Sequence, residues 1–380
     1  MSELASESMS QGPARAGSER SEERAVSERQ RANRRHSAVA ATASHSDSAS
    51  DDWLEFGVDC PADSVNDVLA GSVAPFLAAG RAAGLFGSAL FLRRLGDGPT
   101  APVTVQLRPT APAATIQGLA ARHGIGHPTL TTATQVPTSG AAFGGPRLAP
   151  VTREFLAEVS PGLLDVLVAH PRSTPGRLSA ALELMITHLV AVGASALPDA
   201  DRVRATLNGA PLSFLSYTSH AEAFLATCRD PALARTGMRR RHEQIRPVVE
   251  QRVTAIFADP DRGEPPAGRW LRAVRTAKPP ITAEFAHGGI RPVDAIEDVP
   301  DLLAASSFHR TLADSGDFRR FLGSDPGFLA VRLLTSLLYL SVHNLGLSLL
   351  ERYFLCYSIS NACESVFDVD GRRTLAALTG

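Results

Sequence analysis

Lysine is almost missing from this sequence: Lys278 is the single one, and arginine carries the remaining positive charge. Cysteine and aromatic residues are also sparse, at four and 6% respectively. Each scarcity excludes something. The formal net charge of −1 leaves no basic face of the kind that holds a nucleic-acid backbone. Cys60, Cys228, Cys356 and Cys363 are scattered without metal-ligand spacing or a disulfide framework, so they read as reduced core residues of a cytoplasmic protein. There is no GxGxxG after a strand, no GxxxxGK[ST], no HExxH, no GxSxG and no paired CxxC, which disfavours redox-cofactor, nucleotide and zinc chemistry. No apolar leader of signal-peptide type occurs, and His, Asn, Glu and Arg break the longest apolar windows. Neither export nor a membrane span is expected.

What is present suffices for a core: 380 residues, 44% of them apolar, can fill one large or two ordinary domains. Residues 1–50 stand apart, with no aromatic residue and few large aliphatics. Such a segment buries too little to offset its ordering entropy and is expected to be a disordered extension, despite a short basic cluster at Arg31, Arg34 and Arg35. Residues 51–380 are expected to form the folded domain.

Order is expected to begin at Trp53 with an entering strand, then a helix in which Val65, Val68, Leu69, Val73, Phe76 and Leu77 recur at helical offsets, with Asp63 or Ser64 as cap. Two strands follow around a Gly-Asp-Gly-Pro turn, Ala89–Arg94 and Val103–Arg108. In the second, Val103, Val105 and Leu107 alternate with Thr104, Gln106 and Arg108, which predicts one core face and one polar face; Gln106 and Arg108 would line a groove together. Residues 109–150, rich in Ala, Thr, Gly and Pro, read as a lid or substrate-binding segment. His123 and His127 lie there too close to Gly124, Gly126 and Pro128 to make a helical metal pair. Helical patterning returns from Thr152 to Val192. GMRRRHEQIRPVVEQRVTAIF then reads as a charged surface helix interrupted near Pro247, GEPPAGRWLRAVRTAKPP as loop around Trp270, and the segment up to Arg332 as short helices.

The anomaly lies in 331–368. This stretch is long and apolar enough for two buried helices, yet it carries Ser336, Tyr339, Ser341, His343, Asn344, Ser348, Glu351, Arg352 and Tyr353. Buried helices accept polar groups only with partners. Ser336, Tyr339 and His343 share one helical face, and Asn344, Ser348 and either Glu351 or Arg352 another. Gly346 would permit a kink or a close approach. The segment APLSFLSYTSHAEAFLATC repeats the mixture, with Ser213, Ser216 or Tyr217, and His220 on one face. Two readings follow: a hydrogen-bond network that fixes helix register, or the lining of a small-molecule or peptide site.

A tryptophan-led strand, a helix, a hairpin reading FLRR and then QLR, and a terminal helix pair bearing H-N-L-G before a glutamate together resemble the thiopeptide-type peptide-modification family. That family includes the glutamate-elimination domain of lantibiotic dehydratases and the thiopeptide pyridine synthases. The likeness covers residues 51–112 and 205–368. It implies an α+β fold, mostly helical, with a small antiparallel or mixed sheet, as in the lantibiotic dehydratase elimination domain. The elimination branch carries a histidine before paired arginines in the second hairpin strand; here Val103–Arg108 retains only Arg108. That departure favours the cyclising branch.

The implied activity is a formal aza-[4+2] cycloaddition between two dehydroalanines of an azole-containing precursor peptide, with loss of water and leader, needing no metal or organic cofactor. The implied partners are the ribosomally made precursor, leader and core, and other enzymes of the pathway. Tyr339 or Tyr353 would donate to the imidate, His343 would shuttle the proton, and Glu351 would orient His343 or act as base. Ser213, Ser348, Gln106 and Arg108 would hold peptide carbonyls, with Tyr217, His220, Ser336 and Asn344 lining the same site. The rivals are elimination of glutamate to form dehydroalanine and a non-catalytic, leader-binding scaffold.

Overall fold

The computed structural model of the chain describes residues 53–94, 102–133, 145–193, 200–263, 266–288 and 306–379. The expected extension 1–50 and the Gly-Asp-Gly-Pro turn lie outside these residues. Fully buried Trp53 leads into β1 (Leu54–Val58), as its sequence suggests. A helix, α1, follows over residues 65–82, with a π turn at Leu69–Val73 in its middle. The hairpin strands are β2 (Phe86–Arg93) and β3 (Val103–Pro109). With β4 (Thr131–Thr132) they form a four-stranded sheet in the order β2-β3-β1-β4, every neighbouring pair antiparallel.

The sheet departs from expectation in one respect. Thr104 and Gln106 are as buried as Val103, Val105 and Leu107. Successive strand residues point to opposite faces, so both faces of β3 are covered and neither is a solvated polar surface. On one side Phe76 of α1 meets Phe56 and Phe86, with ring centroids 5.8 Å apart in each pair. The described parts of the segment 109–150 carry secondary structure. It supplies α2 (Ala113–Arg122), whose Ile116, Leu119 and Ala120 face inward, then β4 and the start of α3 (Gly145–Ala169).

The rest is helical: α4 (Thr174–Val192), α5 (Ala200–Leu207), α6 (Phe214–Thr227), α7 (Pro231–Ala258), α8 (Ala267–Ala286), α9 (Ser307–Asp314), α10 (Gly316–Ser324), α11 (Pro326–Asn344), α12 (Leu349–Phe367) and α13 (Gly371–Thr379). Two of these correct the sequence reading. Pro247 does not interrupt α7, because it lies on the exposed side, where water can satisfy the carbonyl it leaves free. Residues around Trp270 are helix rather than loop: Trp270, Leu271, Val274 and Ile281 form the buried stripe of α8, and that burial overrides Pro279 and Pro280. Trp270 meets Phe155 of α3 edge to face at 5.0 Å.

A single cluster of buried side chains runs from Trp53 through α11 and α12 to Val369. By length and composition α11 could cross a membrane, but 61% of that stretch is buried against the rest of the protein. It is a core helix, packed against α3, α4, α8, α10, α12 and strand β2.

Candidate functional site

The polar residues of α11 are accommodated in three ways. Hydroxyls turn back on their own helix: Thr335 donates to Val331 O at 2.8 Å, Ser336 to Arg332 O at 3.1 Å and Ser341 to Leu337 O at 2.9 Å. Asn344, at the helix end, serves as cover for the edge strand. Its Oδ1 accepts the Arg93 amide N–H at 3.0 Å and its Nδ2 donates to Phe91 O at 3.3 Å, so one side chain occupies two ladder positions on the free side of β2. Gly346 does not kink one long rod. With φ of 73° it ends α11, and α12 begins afresh.

The third group, Tyr339 and His343, faces α6 and α12. His220 of α6 meets the Tyr339 ring edge on, 4.9 Å between centroids. The Arg352 guanidinium lies 4.6 Å from the centroids of both Tyr339 and Tyr353, and Phe224 stacks on Tyr353 at 4.8 Å. Tyr339 OH and the Cys356 thiol are 3.5 Å apart. Together these side chains form a half-buried seam between three helices.

Its protonation states follow from burial and charge. Burial, then Cys356 and Tyr217, hold the Tyr339 hydroxyl well above the ordinary phenol range, so it remains a proton donor. Burial first, and the positive charges of Arg93 and Arg352 next, pull His343 down to about 4. His220 is also pulled to about 4, chiefly by burial. Its Nδ1 lies 2.6 Å from Ser216 O; a carbonyl only accepts, so Nδ1 carries the proton and Nε2 has a free lone pair. Two inward atoms, His343 Nε2 and Arg352 Nε, are buried and have no hydrogen-bond partner in the protein. Buried polar groups are rarely left so, which makes these two atoms candidates to meet a ligand's polar atoms.

Of the residues singled out from the sequence, Tyr339, Tyr353 and His220 meet at this seam, with Ser336 one turn before Tyr339 and His343 one turn after it, within range of the Arg352 charge. Others are engaged elsewhere. Glu351 does not orient His343; its Oε2 accepts the Ser348 amide N–H at 2.7 Å while Ser348 Oγ accepts from Glu351 N at 3.2 Å, a reciprocal cap on α12. Tyr217 donates to Met185 O at 2.8 Å and Ser213 to Leu189 O at 3.5 Å, which ties α6 to α4. Gln106 donates to Glu55 at 2.9 Å. Arg108 pairs with Glu154 at 2.5 Å and lies 5.3 Å from the Trp53 ring. A separate groove of about 190 Å³, with Glu55, Asp59, Arg94, Thr104 and Thr131 in its lining, opens on the sheet and shares no residue with the seam. It lacks the seam's buried orphaned atoms.

Three contributors were not picked out from the sequence. Arg352 stood only as an alternative to Glu351, although its offset of one residue decides which face it takes. Arg93 was visible in FLRR without an assigned role. His309, buried and bonded to Ser306 Oγ at 2.7 Å and Ser219 Oγ at 3.0 Å, pins α9 to α6 next to His220 and gave no sequence signal.

The sequence profile described as "Lantibiotic biosynthesis dehydratase C-term" matches residues 53–363. Among solved structures the chain is similar to TsrL, with a TM-score of 0.65 and 22% identity over 86% of this chain and 99% of that one. It is also similar to "Pyridine synthase, TbtD, from thiomuracin biosynthesis", with a TM-score of 0.56 and 19% identity over 84% of this chain and 99% of that one. No curated protein sequence matches.

Proposed function

The chain belongs to the lantibiotic dehydratase C-terminal family, and from that premise we propose that it is a peptide-modifying enzyme that closes a pyridine ring by a formal aza-[4+2] cycloaddition. Its substrate would be a ribosomally made precursor carrying two dehydroalanines and azoles. The observation that carries this reading is the seam: a protonated Tyr339 hydroxyl, a neutral His343 with a vacant Nε2, and Arg352 with an unpartnered Nε, set together between α6, α11 and α12. The description of TbtD as a pyridine synthase and the absence of a histidine from Val103–Arg108 lend it support.

The reaction asks for little covalent work. One amide tautomerises to its imidic acid, giving a 2-azadiene; the second alkene adds across it; loss of water and then of the leader leaves the aromatic ring. Holding two distant alkenes face to face supplies much of the rate. Arg352 and the Tyr339 hydroxyl would donate to the imidate oxygen as charge develops there. Neutral His343 would take the amide N–H proton through Nε2 and pass it to the oxygen, giving the imidic acid; after ring closure it would take a ring methylene proton and deliver it to the hydroxyl, which leaves as water. Glu351, committed to its cap, has no part in these steps. Tyr353, stacked between Arg352 and Phe224, holds the guanidinium in place.

One observation favours a second reading. Among the described residues Arg93 and Arg177 bond only neutral oxygens, and with Arg352 they could receive the carboxylate of a glutamyl ester awaiting elimination. Mass spectrometry of the purified protein with two peptides separates these. Loss of water and release of the leader from a dehydroalanine- and azole-containing peptide supports cyclisation. Loss of glutamate from a glutamylated peptide, with the first peptide unchanged, overturns it.

A further inference from the structure

Arg93, the last residue of β2, is bonded to the end of α11 from two directions. Its amide N–H holds Asn344 Oδ1 at 3.0 Å, and its Nε–H donates to the Asn344 carbonyl at 2.8 Å. That carbonyl is one of those a helix end leaves unpaired, where a cation is also favoured by the helix dipole. A terminal N–H of the same guanidinium donates to Asn66 Oδ1 of α1. The group sits over Gly346: a Cβ there would lie 3.0 Å from both terminal nitrogens and 2.9 Å from Asn66 Oδ1, so only glycine leaves it room. Strand β2, helix α1 and the turn between α11 and α12 therefore converge on one side chain, next to His343. Burial and Arg177 draw the Arg93 guanidinium down to about 10, so it is held there against a desolvation cost.

We propose that Arg93 is a positioning residue for His343: by closing the last turn of α11 through the Asn344 carbonyl, it fixes how the imidazole presents its unpartnered Nε2 to the seam. This rests on His343 as the proton-transfer group. The charges that act on His343 are Arg93 from β2 and Arg352 from α12, and both oppose its protonation. Arg93 thus contributes position and charge, and the two can be separated. Lysine keeps the charge and loses the fork; glutamine loses both. The main-chain bond to Asn344 survives either change.

The test is NMR of protein labelled at histidine, with the His343 signals assigned by His343→Gln, beside turnover measured against pH. Wild-type His343 is expected to stay neutral down to about pH 5, and Arg93→Gln to raise its midpoint by about one unit, the acid limb of turnover moving with it. Arg93→Lys is expected to keep the low midpoint while losing about tenfold in turnover. Gly346→Ala, which displaces the guanidinium without removing it, is expected to shift the His343 signals and raise the midpoint, and carries the test if Arg93→Gln does not fold. An unmoved His343 midpoint and unchanged signals in the folded variants would overturn the proposal and leave Arg93 as a clip between elements. The NMR result stands whether or not the peptide is cyclised, so a failure of the cyclisation reading is distinguishable from a failure of this one.

Discussion

At the scale of single residues, the proposed chemistry divides the seam into groups that would meet substrate and groups that hold them. Arg352 would be on the first side, because among the described residues its Nε has no partner and its guanidinium lies over two tyrosine faces. Arg352→Gln is expected to lower turnover by about 100-fold, the scale on which a single oxyanion donor acts, with peptide binding little changed. Rates of product formation and a binding titration check both halves. Glu351 belongs to the second side. Glutamine serves in a capping box as well as glutamate, so Glu351→Gln is expected to retain both turnover and melting temperature, whereas Ser348→Ala should cost about 1 kcal/mol of stability. A large loss of turnover in Glu351→Gln, with the protein still folded, would restore that carboxylate to the chemistry. Legibility was uneven at this scale. Tyr339, His343 and His220 stood out as polar residues in apolar sequence, but the same signal drew in Tyr217 and Ser213, which prove to be ties between helices. Sequence shows that a buried polar group needs a partner; it does not show whether that partner is protein or ligand.

Among the elements, α11 joins the sheet to the helical layer. Asn344 covers the free edge of β2, and its loss would strand the Arg93 N–H and the Phe91 carbonyl together. Asn344→Ala is therefore expected to destabilise the protein by about 1–3 kcal/mol, read as a lower urea midpoint with an unchanged slope. The sheet and α1 were legible because alternation and helical periodicity are local. Residues 113–122 and 267–286 were misread for the opposite reason. Alanine, glycine and proline diluted their apolar stripes, and burial of Ile116 and Trp270 against distant elements decided the outcome. The break at Gly346 also explains why the expected polar line from Asn344 through Ser348 fails: residues on either side of a helix break no longer share a helical phase.

In the whole molecule, the seam is linked to stability through His188, His220, His309 and His343. His188 is drawn to about 3, and His220, His309 and His343 each to about 4, with burial the leading cause in every case. The unfolded chain binds these protons more readily, starting from 6.5. Their contribution is complete above that pH and is lost as pH falls toward 4, at up to about 1.4 kcal/mol per pH unit for each histidine. Melting temperature should fall steeply between pH 6 and pH 4.5 and stay level between pH 7 and 8; a flat profile below pH 6 would mean that these histidines are already charged or exposed. Within the stable range, the central claim is that the seam between α6, α11 and α12 performs the chemistry. The most direct measurement compares wild type with His343→Ala and Tyr339→Phe at pH 7, all folded by circular dichroism, acting on a leader-bearing dehydroalanine and azole peptide followed by mass spectrometry. The account expects the cyclised product and free leader from wild type, and at least a 100-fold slower appearance of both from each variant while the peptide still binds. Full turnover by both variants would contradict it and place the active site elsewhere on the fold.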